Sequence, residues 1–288
     1  MVREKKEKKT SLFAETFLNT VKNPGARVGL IIFLIIAIVC FLSPLIAPYD
    51  YNEMDMTQMF KGPSLQHWFG TDRFGRDIFS RMMYGGRYSI IMGLCAAIFG
   101  SAIGIIIGSI SGYFGGTVET VIMRIMDIWS SIPGILLCIM ISTVMGPGFF
   151  NTVFALSIGG VPGGVRMIRG QILAERSKEY LEAAESINCS KMSIMFKHML
   201  PNVISPTIVQ TTMQIGQTIS MAATLSYIGL GVQPPTPEWG AMLSDGRGYI
   251  LTYPYMIMFP GIIIAVTVLA INLIGDGLRD ALDPKLRK

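Results

Sequence analysis

The residues of this chain best suited to chemistry are uncharged, and five of them share one face of a single apolar segment, about 203–230. They are two hydroxyls and three amides: Thr207, Gln210, Gln214, Gln217 and Thr224. At 100° per residue they fall within roughly one face of a helix. Such a face could form hydrogen bonds between helices, each worth about a kcal/mol or less. Alternatively, it could form the polar lining of a substrate path through a membrane. The spacing leaves both interpretations open.

No arrangement of residues in the chain predicts catalysis. The sequence contains no GxxxxGK[ST], HExxH or GxSxG motif, and its four cysteines have neither a disulfide framework nor zinc spacing. The two histidines, His67 and His198, are too far apart to share a metal. No ionisable residue lies at the centre of an apolar run, where such residues mark proton or ion coupling. We therefore expect no bound cofactor and an energy source on a partner.

The longest charged interval of the C-terminal half, 175–202, is where such a partner would bind. Its first part predicts a helix with an apolar stripe of Tyr180, Ala184 and Ile187 at i, i+4 and i+7. Asn188 stands where this helix would end, and asparagine tolerates the left-handed conformation of a helix C-cap. A second short segment follows. The pattern indicates either a docking surface for a soluble partner or a solvated loop on lipid headgroups.

Composition identifies a polytopic membrane protein. Of the 288 residues, 51% are hydrophobic and only 15% are charged, with a mean hydropathy of +0.50. Soluble domains have about a quarter of their residues charged, and uncharged runs near the roughly 20-residue spanning length recur along this chain. The net charge of +5 is not evidence for nucleic-acid binding, because positive residues of membrane proteins set their topology.

Six apolar runs predict an all-α protein with six transmembrane helices, at 28–47, 88–113, and about 117–145, 149–168, 203–230 and 254–275. The predicted organisation is a tail with an interfacial helix (1–27), the first transmembrane helix (28–47), an extracytoplasmic loop (48–87), a five-helix core (88–275) and a C-terminal tail (276–288). Pro133 interrupts the third run. Within the second run, a stripe of small residues predicts close packing of another helix: Ala96, Gly100, Gly104, Gly108 and Gly112.

The distribution of positive charge orients the chain. Eighteen of its 24 Lys and Arg residues fall in the termini, the 114–127 turn and the 165–200 interval, which six spans place on one side. Since cytosolic segments carry the excess of Lys and Arg, both termini and the 175–202 loop are predicted to be cytosolic.

The sequence of the 175–202 loop resembles the EAA motif of ABC importer permeases, which is usually EAA-x3-G-x9-hydrophobic-x-LP. The matching residues are Glu182, Ala183, Ala184, Asn188, Leu200 and Pro201. Asn188 replaces the usual glycine, and we expect the turn to survive because asparagine is the next most tolerant residue. The resemblance implies that Glu182 is a polar anchor on an ATPase and that the two alanines permit close approach. We call residues 175–202 the EAA loop.

Three further segments resemble the dipeptide/oligopeptide branch of these permeases, of the DppC/OppC type. The first is a GTDxxGRDxxSR signature: Gly70, Thr71, Asp72, Gly75, Arg76, Asp77, Ser80 and Arg81. The others are QPPTPEWG, whose Trp239 is expected at the membrane interface, and GDGLRDALDP from Gly275. By chemistry alone, the charges of the first segment are either an internally paired surface turn or direct substrate contacts.

The resemblance implies the fold of a type I ABC importer permease with cytosolic EAA coupling helices, in the cytoplasmic membrane. It also implies four kinds of partner: a second homologous permease subunit, two ATP-binding cassette subunits that carry ATP and Mg, an extracytoplasmic peptide-binding protein, and membrane lipid. The implied cargo is dipeptides or oligopeptides.

Two alternatives stay open. The same machinery could import nickel chelate, glutathione or an antimicrobial peptide, because selectivity in these systems resides largely in the binding protein. From a different class, the chain could be a membrane scaffold whose loop binds a non-ATPase partner.

Overall fold

A computed structural model describes residues 12–282, so that parts of both predicted tails, 1–11 and 283–288, lie outside the described residues. The first half contains α1 (Leu12–Lys22), α2 (Pro24–Phe41), α3 (Ser43–Ile46), a 3₁₀ turn (Met56–Gln58), α4 (Ile78–Phe114), α5 (Gly116–Ser130), α6 (Gly134–Met145) and α7 (Phe149–Arg176). The second half contains α8 (Glu179–Ser186), α9 (Lys191–Ser193), a π-helical segment (Ile194–Met199), α10 (Leu200–Tyr227), α11 (Trp239–Gly246), a 3₁₀ turn (Arg247–Tyr249) and α12 (Tyr255–Leu282).

The all-helical prediction is confirmed, since the single β pairing between residues 12 and 282 is an isolated Thr71–Asp77 bridge. By length and apolar composition α2, α4 and α12 can each cross a membrane, and the bent pair of α5 and α6 makes a fourth candidate. Helices α7 and α10 have 28 residues each, which is about 42 Å at 1.5 Å per residue. They are long enough to span but more polar than the others.

The third predicted span is not one straight helix. Helices α5 and α6 meet at an 83° bend because Pro133 has no N–H to continue the helical ladder. The Ser131 N–H still makes a helical bond to the Asp127 carbonyl, and the Ile132 N–H bonds to the Trp129 carbonyl in a tighter turn. The acidic residues of α5 pair with α7: Arg169 Nε lies 2.6 Å from Glu119 Oε1, and Arg166 Nη2 lies 3.0 Å from Asp127 Oδ1. Helix α5 therefore lies along the charged end of α7.

Caps explain why two helices start before the predicted spans. Helix α2 begins with Pro24 after Asn23, whose Oδ1 accepts hydrogen bonds from the N–H groups of Gly25 and Ala26. Helix α4 begins at Ile78 because Asp77 Oδ2 accepts from the Ser80 N–H at 2.7 Å. Each helix therefore extends beyond the apolar run that predicted it.

The small-residue stripe of α4 packs against α7, as predicted. All five of its members are buried. A β-carbon on Gly100 would lie 2.8 Å from the Ser157 carbonyl oxygen, and one on Gly104 would lie 3.1 Å from the Gly164 backbone. Such close approach of two backbones needs glycine, so α4 and α7 form the tightest pair of the core.

Helix α10 lies at the centre of the arrangement, because it contacts α4, α7, α11 and α12. On the far side, α12 packs against α2, where a β-carbon on Gly29 would lie 2.6 Å from the Ala270 carbonyl oxygen. Helix α6 packs against the first part of α7. The helix with the predicted polar face is thus surrounded by the other spanning elements.

Candidate functional site

The five polar residues predicted on α10 divide into two groups. Gln210, Gln217 and Thr224 are exposed on the helix surface and Gln214 is half-buried, whereas Thr207 is buried against α7. Within the described part of the chain, the three glutamine amides make no side-chain hydrogen bond. The threonine hydroxyls instead bond to carbonyls one turn earlier, as Thr207 Oγ1 does with Val203 at 2.8 Å. The amides are therefore the groups free to meet a passing molecule.

Gln214 and Gln217 line a cavity of about 170 Å³ between α6, α7 and α10. This volume is enough for several waters at roughly 30 Å³ each. Gly160 of α7 makes room for the amide, since a β-carbon there would lie 2.3 Å from Gln214 Nε2. Sequence reasoning missed Cys138 of α6 and Gly159 of α7 in the lining, because only the glycine-rich composition of α7 hinted at open space there.

Interhelical hydrogen bonding, the other interpretation of this face, is also present beside it. Thr211 Oγ1 donates to Ser101 Oγ of α4 at 2.8 Å. The proton of Thr207 Oγ1 goes to the Val203 carbonyl, and this oxygen only approaches Gln171 Oε1 of α7, at 3.5 Å. The Thr211 hydroxyl therefore bonds α10 to α4 while the amides of Gln214 and Gln217 face the cavity, so one helix has both properties.

The EAA loop has the predicted turn. Asn188 adopts φ of 62°, in the left-handed region, and the Cys189 N–H donates to the Ala184 carbonyl at 3.1 Å, the bond that closes a Schellman C-cap. Ser190 then caps the next segment, its Oγ accepting from the Ser193 N–H at 3.3 Å. Pro201 lies in the first turn of α10, where its missing N–H costs nothing.

The predicted apolar stripe of α8 is wrong in part. Ala184 is buried, but its buried partner is Leu181, and Ile187 is 76% exposed. Leu181 and Ala184 pack on a cluster that includes Ile172 of α7 and Met199. Ala184 therefore serves packing within this chain rather than approach by another. The exposed face of α8 carries Glu182 and Ala183, and the exposed Ile187 follows directly after the helix.

A polar network, which we call the knot, joins the ends of the EAA loop. Tyr180 Oη donates to Glu175 Oε1 at 2.6 Å, and Asn202 Nδ2 donates to the same oxygen at 3.0 Å. The Lys178 ammonium lies 2.8 Å from Glu175 Oε2. Burial raises the pKa of Glu175, but the bonds from Lys178 and Tyr180 outweigh it and hold the pKa below its ordinary value of 4.5.

At the opposite end of the helices, residues 47–77 and 228–254 pack together; we call them the cap. The GTDxxGRD signature forms a closed turn within it. Asp72 Oδ1 accepts from the N–H groups of Phe74 and Arg76, and its Oδ2 accepts from Arg76 Nε at 2.7 Å. Asp77 caps α4 and lies 2.9 Å from His67 Nδ1. The signature residues are nearly all buried, which favours the internally paired turn over direct substrate contact.

Glycine and threonine of the signature complete this turn. Gly70 and Gly75 have φ of 79° and 72°, which only glycine adopts without strain. Thr71 Oγ1 donates to the Gln58 carbonyl. From the second part of the cap, Asp245 lies 3.6 Å from Arg76 Nη2 and 3.7 Å from Arg81 Nη2. The signature therefore ties the two parts of the cap to the start of α4.

The second half of the QPPTPEWG segment, Pro237 to Gly240, is buried rather than interfacial, whereas Gln233, Pro234 and Pro235 are exposed. Glu238 is 1% exposed and Trp239 is fully buried, so the predicted interface position of Trp239 is wrong. Glu238 Oε1 accepts from Ser89 Oγ at 2.7 Å and from the Gly240 N–H, and Trp239 Nε1 donates to the Met82 carbonyl at 2.9 Å. Because every side-chain polar atom of the pair has a partner, the two residues can be buried against α4.

Comparison with known proteins gives consistent matches. Residues 104–288 match the family model described as "Binding-protein-dependent transport system inner membrane component". Residues 11–63 match the "N-terminal TM domain of oligopeptide transport permease C". The glutathione transport system permease protein GsiD is 45% identical over 263 residues, 91% of this chain and 87% of the relative, both in Escherichia coli O6:K15:H31 (strain 536 / UPEC) and in Shigella boydii serotype 4 (strain Sb227).

Solved structures share the fold. A chain of the MetNI methionine ABC transporter, in inward-facing conformations, superposes with a TM-score of 0.58 at 20% sequence identity, covering 70% of this chain and 97% of that one. A second crystal form gives 0.57 at the same identity, with coverage of 69% and 95%. The expected type I ABC importer permease fold is therefore confirmed.

Proposed function

Because this chain belongs to the family of binding-protein-dependent transport system inner membrane components, we propose that it lines half of the path by which an ABC importer moves small peptides. The chain is a multi-pass membrane permease of an ABC importer. Its cargo, its individual partners and its orientation are the proposed part.

The observation that carries the proposal is the amide-lined cavity beside Gln214 and Gln217. Peptides have charged termini and polar backbones but variable side chains. An uncharged surface of amides can hydrogen-bond to such groups without binding one sequence tightly. Gln210, Gln217 and Thr224 continue this surface along α10, and a second homologous permease subunit would supply the opposite wall.

The exposed face of α8 is the proposed contact with an ATP-binding cassette subunit. Glu182 offers a charged anchor, Ala183 leaves room for close approach, and Ile187 adds an apolar contact. ATP and Mg belong to the two ATPase subunits. This assignment places the EAA loop and both termini in the cytosol, in agreement with the distribution of Lys and Arg. The cap then faces the extracytoplasmic peptide-binding protein.

In the proposed mechanism, ATP-driven closure of the ATPases moves α8, and α7 and α10 move with it. Since α10 carries the amide face and α7 the glycines opposite, a change in their angle opens or closes the cavity between them. The path is then open alternately to each side of the membrane. In this mechanism the chain contributes the hydrogen-bonding amides of α10 and the helices, α7, α8 and α10, that move when the ATPases close.

Small peptides are the proposed cargo class, and the similarity to a glutathione transport permease makes that tripeptide the first compound to test. Uptake of labelled glutathione, dipeptide and nickel chelate by cells that contain the whole transporter, with and without this chain, separates the cargo classes. Uptake of nickel chelate alone would contradict the proposal.

The contact with an ATPase is tested by Glu182→Lys. Charge reversal at the exposed anchor should abolish copurification of the ATPase subunits while the permease pair stays in the membrane. Glu53→Lys reverses another exposed carboxylate, in the cap, and should leave copurification unchanged. If Glu182→Lys retains the ATPases, the anchor is wrong, and if the wild-type chain copurifies with a different protein, a scaffold role replaces transport.

A further inference from the structure

We propose that Glu175, Tyr180 and Asn202 are positioning residues that fix α8 to α7 and α10 at once, so that a push on α8 turns both helices together. The proposal rests on the proposed function and deepens it. The residues belong to three different helices or their junctions: Glu175 to the end of α7, Tyr180 to the start of α8 and Asn202 to the start of α10.

The knot has a single centre. Glu175 Oε1 accepts from both Tyr180 Oη and Asn202 Nδ2, and Asn202 Nδ2 also lies 2.8 Å from Tyr180 Oη. The same amide and hydroxyl both reach the His198 carbonyl, at 3.1 and 3.3 Å, at the end of the π-helical segment. One carboxylate thus joins both ends of the EAA loop.

Among the described side chains of α8, Tyr180 provides the polar link to the neighbouring helices. Among the α8 side chains that the structure describes, only that of Tyr180 forms hydrogen bonds to another helix or to the π-helical segment. Ser186 Oγ bonds only within α8, to the Glu182 carbonyl at 2.8 Å. Leu181 and Ala184 add apolar contacts to this attachment.

Directional bonds decide how α8 transmits a force. Apolar contacts resist separation but permit sliding and rotation, because the hydrophobic effect is non-directional. A hydrogen bond weakens steeply as its angle departs from linear, and bonds to an ionised acceptor are about twice as strong as neutral ones. The buried Glu175 carboxylate, 7% exposed, therefore fixes the angle of α8 against α7 and α10.

Tyr180→Phe tests the proposal in the complete transporter, reconstituted with its ATPases and binding protein. The change removes one hydroxyl and keeps the ring. We expect ATPase subunits to stay bound and ATP hydrolysis to continue, while substrate transported per ATP falls at least about fivefold, the effect of one hydrogen bond of typical strength. Ser186→Ala is the control, because it removes a hydroxyl that bonds only within α8. It should leave the amount of substrate transported per ATP unchanged.

A second readout reports the coupling directly. In Tyr180→Phe, amide hydrogen exchange should accelerate together in 179–186 and 200–204, two segments that the knot joins. Asn202→Ala removes the bonds from the α10 side and should give the same result, so the proposal stays testable if Tyr180→Phe assembles poorly. Unchanged transport per ATP, or acceleration confined to 179–186, would overturn it. Failure of the proposed function would differ, since the wild-type complex would then lack ATPases or uptake.

Discussion

A β-carbon on Gly75 would lie 1.8 Å from the carbonyl oxygen of Asp55. This contact presses two turns of the cap together backbone to backbone, and Gly75 also has φ of 72°. No other residue type meets both conditions. Gly75, the second glycine of the GTDxxGRD signature, is therefore required for the folding of the cap, whatever the cap binds.

We predict that Gly75→Ala destabilises the protein strongly. The methyl group would overlap backbone atoms and the left-handed conformation adds strain of order 1–3 kcal/mol. Thermal unfolding of the purified permease pair should shift to lower temperature, with loss of expression in the membrane. Gly62→Ala is the matched control, because no atom lies within 4 Å of a β-carbon there. Equal stability of the two variants would contradict the packing of the cap.

Packing of α4 on α7 gives a second prediction, for Gly108→Ala. Its β-carbon would lie 2.8 Å from both the Val165 carbonyl oxygen and the Ile168 β-carbon, so the helices must separate. Overpacking of this kind typically costs about 1–3 kcal/mol. Gly170→Ala, on α7 with open space around it, should be neutral or stabilising by up to about 1 kcal/mol. Unfolding of the purified complex in detergent measures both, and a reversed order would contradict the helix pairing.

Gln214→Leu should reduce uptake of small peptides at least about fivefold, while the ATPases remain bound. Leucine keeps much of the volume but replaces a hydrogen-bonding amide of the cavity with an apolar group, and one lost hydrogen bond is worth about 1 kcal/mol or more. Initial uptake rate at fixed substrate is the measurement. Gln210→Leu lies one turn earlier on the same helix, outside the cavity lining, and should have a smaller effect. If Gln210→Leu is the more damaging change, the path follows the exposed face instead.

The knot predicts a specific dependence of stability on pH. The folded-state pKa of Glu175 is below its ordinary value of 4.5, so ionised Glu175 stabilises the folded state. That contribution is present above about pH 4.5 and is lost as the pH falls through the folded-state pKa. The stability difference between wild type and Glu175→Gln should therefore stay constant from pH 7 to about pH 4.5 and narrow at lower pH, which unfolding measured above and below pH 4.5 checks. A difference that widens on acidification would assign the carboxylate the opposite role.

Local features were predictable where they depend on backbone geometry or helical period alone. Asn188 was expected in the left-handed conformation because the helix had to end there, and it adopts it. The five-membered stripe from Ala96 to Gly112 was expected to permit close packing, and α7 lies against it. Both depend on residues near one another in sequence, whose relation a single helix fixes.

Contacts between distant residues could not be predicted from any pattern. Trp239 is a residue typical of membrane interfaces, yet it is buried because Met82, 157 positions away, accepts its N–H. Ile187 fits an apolar stripe, yet Leu181 takes the buried position because of where α7 and the π-helical segment lie. A sequence pattern shows which residues could be buried, and the residues that pack against them in the folded chain decide which ones are.

On its own, the sequence determined that the protein is helical and membrane-spanning, that it lacks a nucleotide-binding motif and that it resembles a permease with an EAA loop. Hydropathy, charge and short motifs are properties of residues close together in the chain, so they can be identified without the fold. Only the tertiary structure decided that α5 and α6 meet at 83°, that two glutamines share a cavity with the glycines of α7, and that Glu175 and Asn202 meet at one carboxylate oxygen. These relations join residues on different helices, and their distances exist only once the helices have packed.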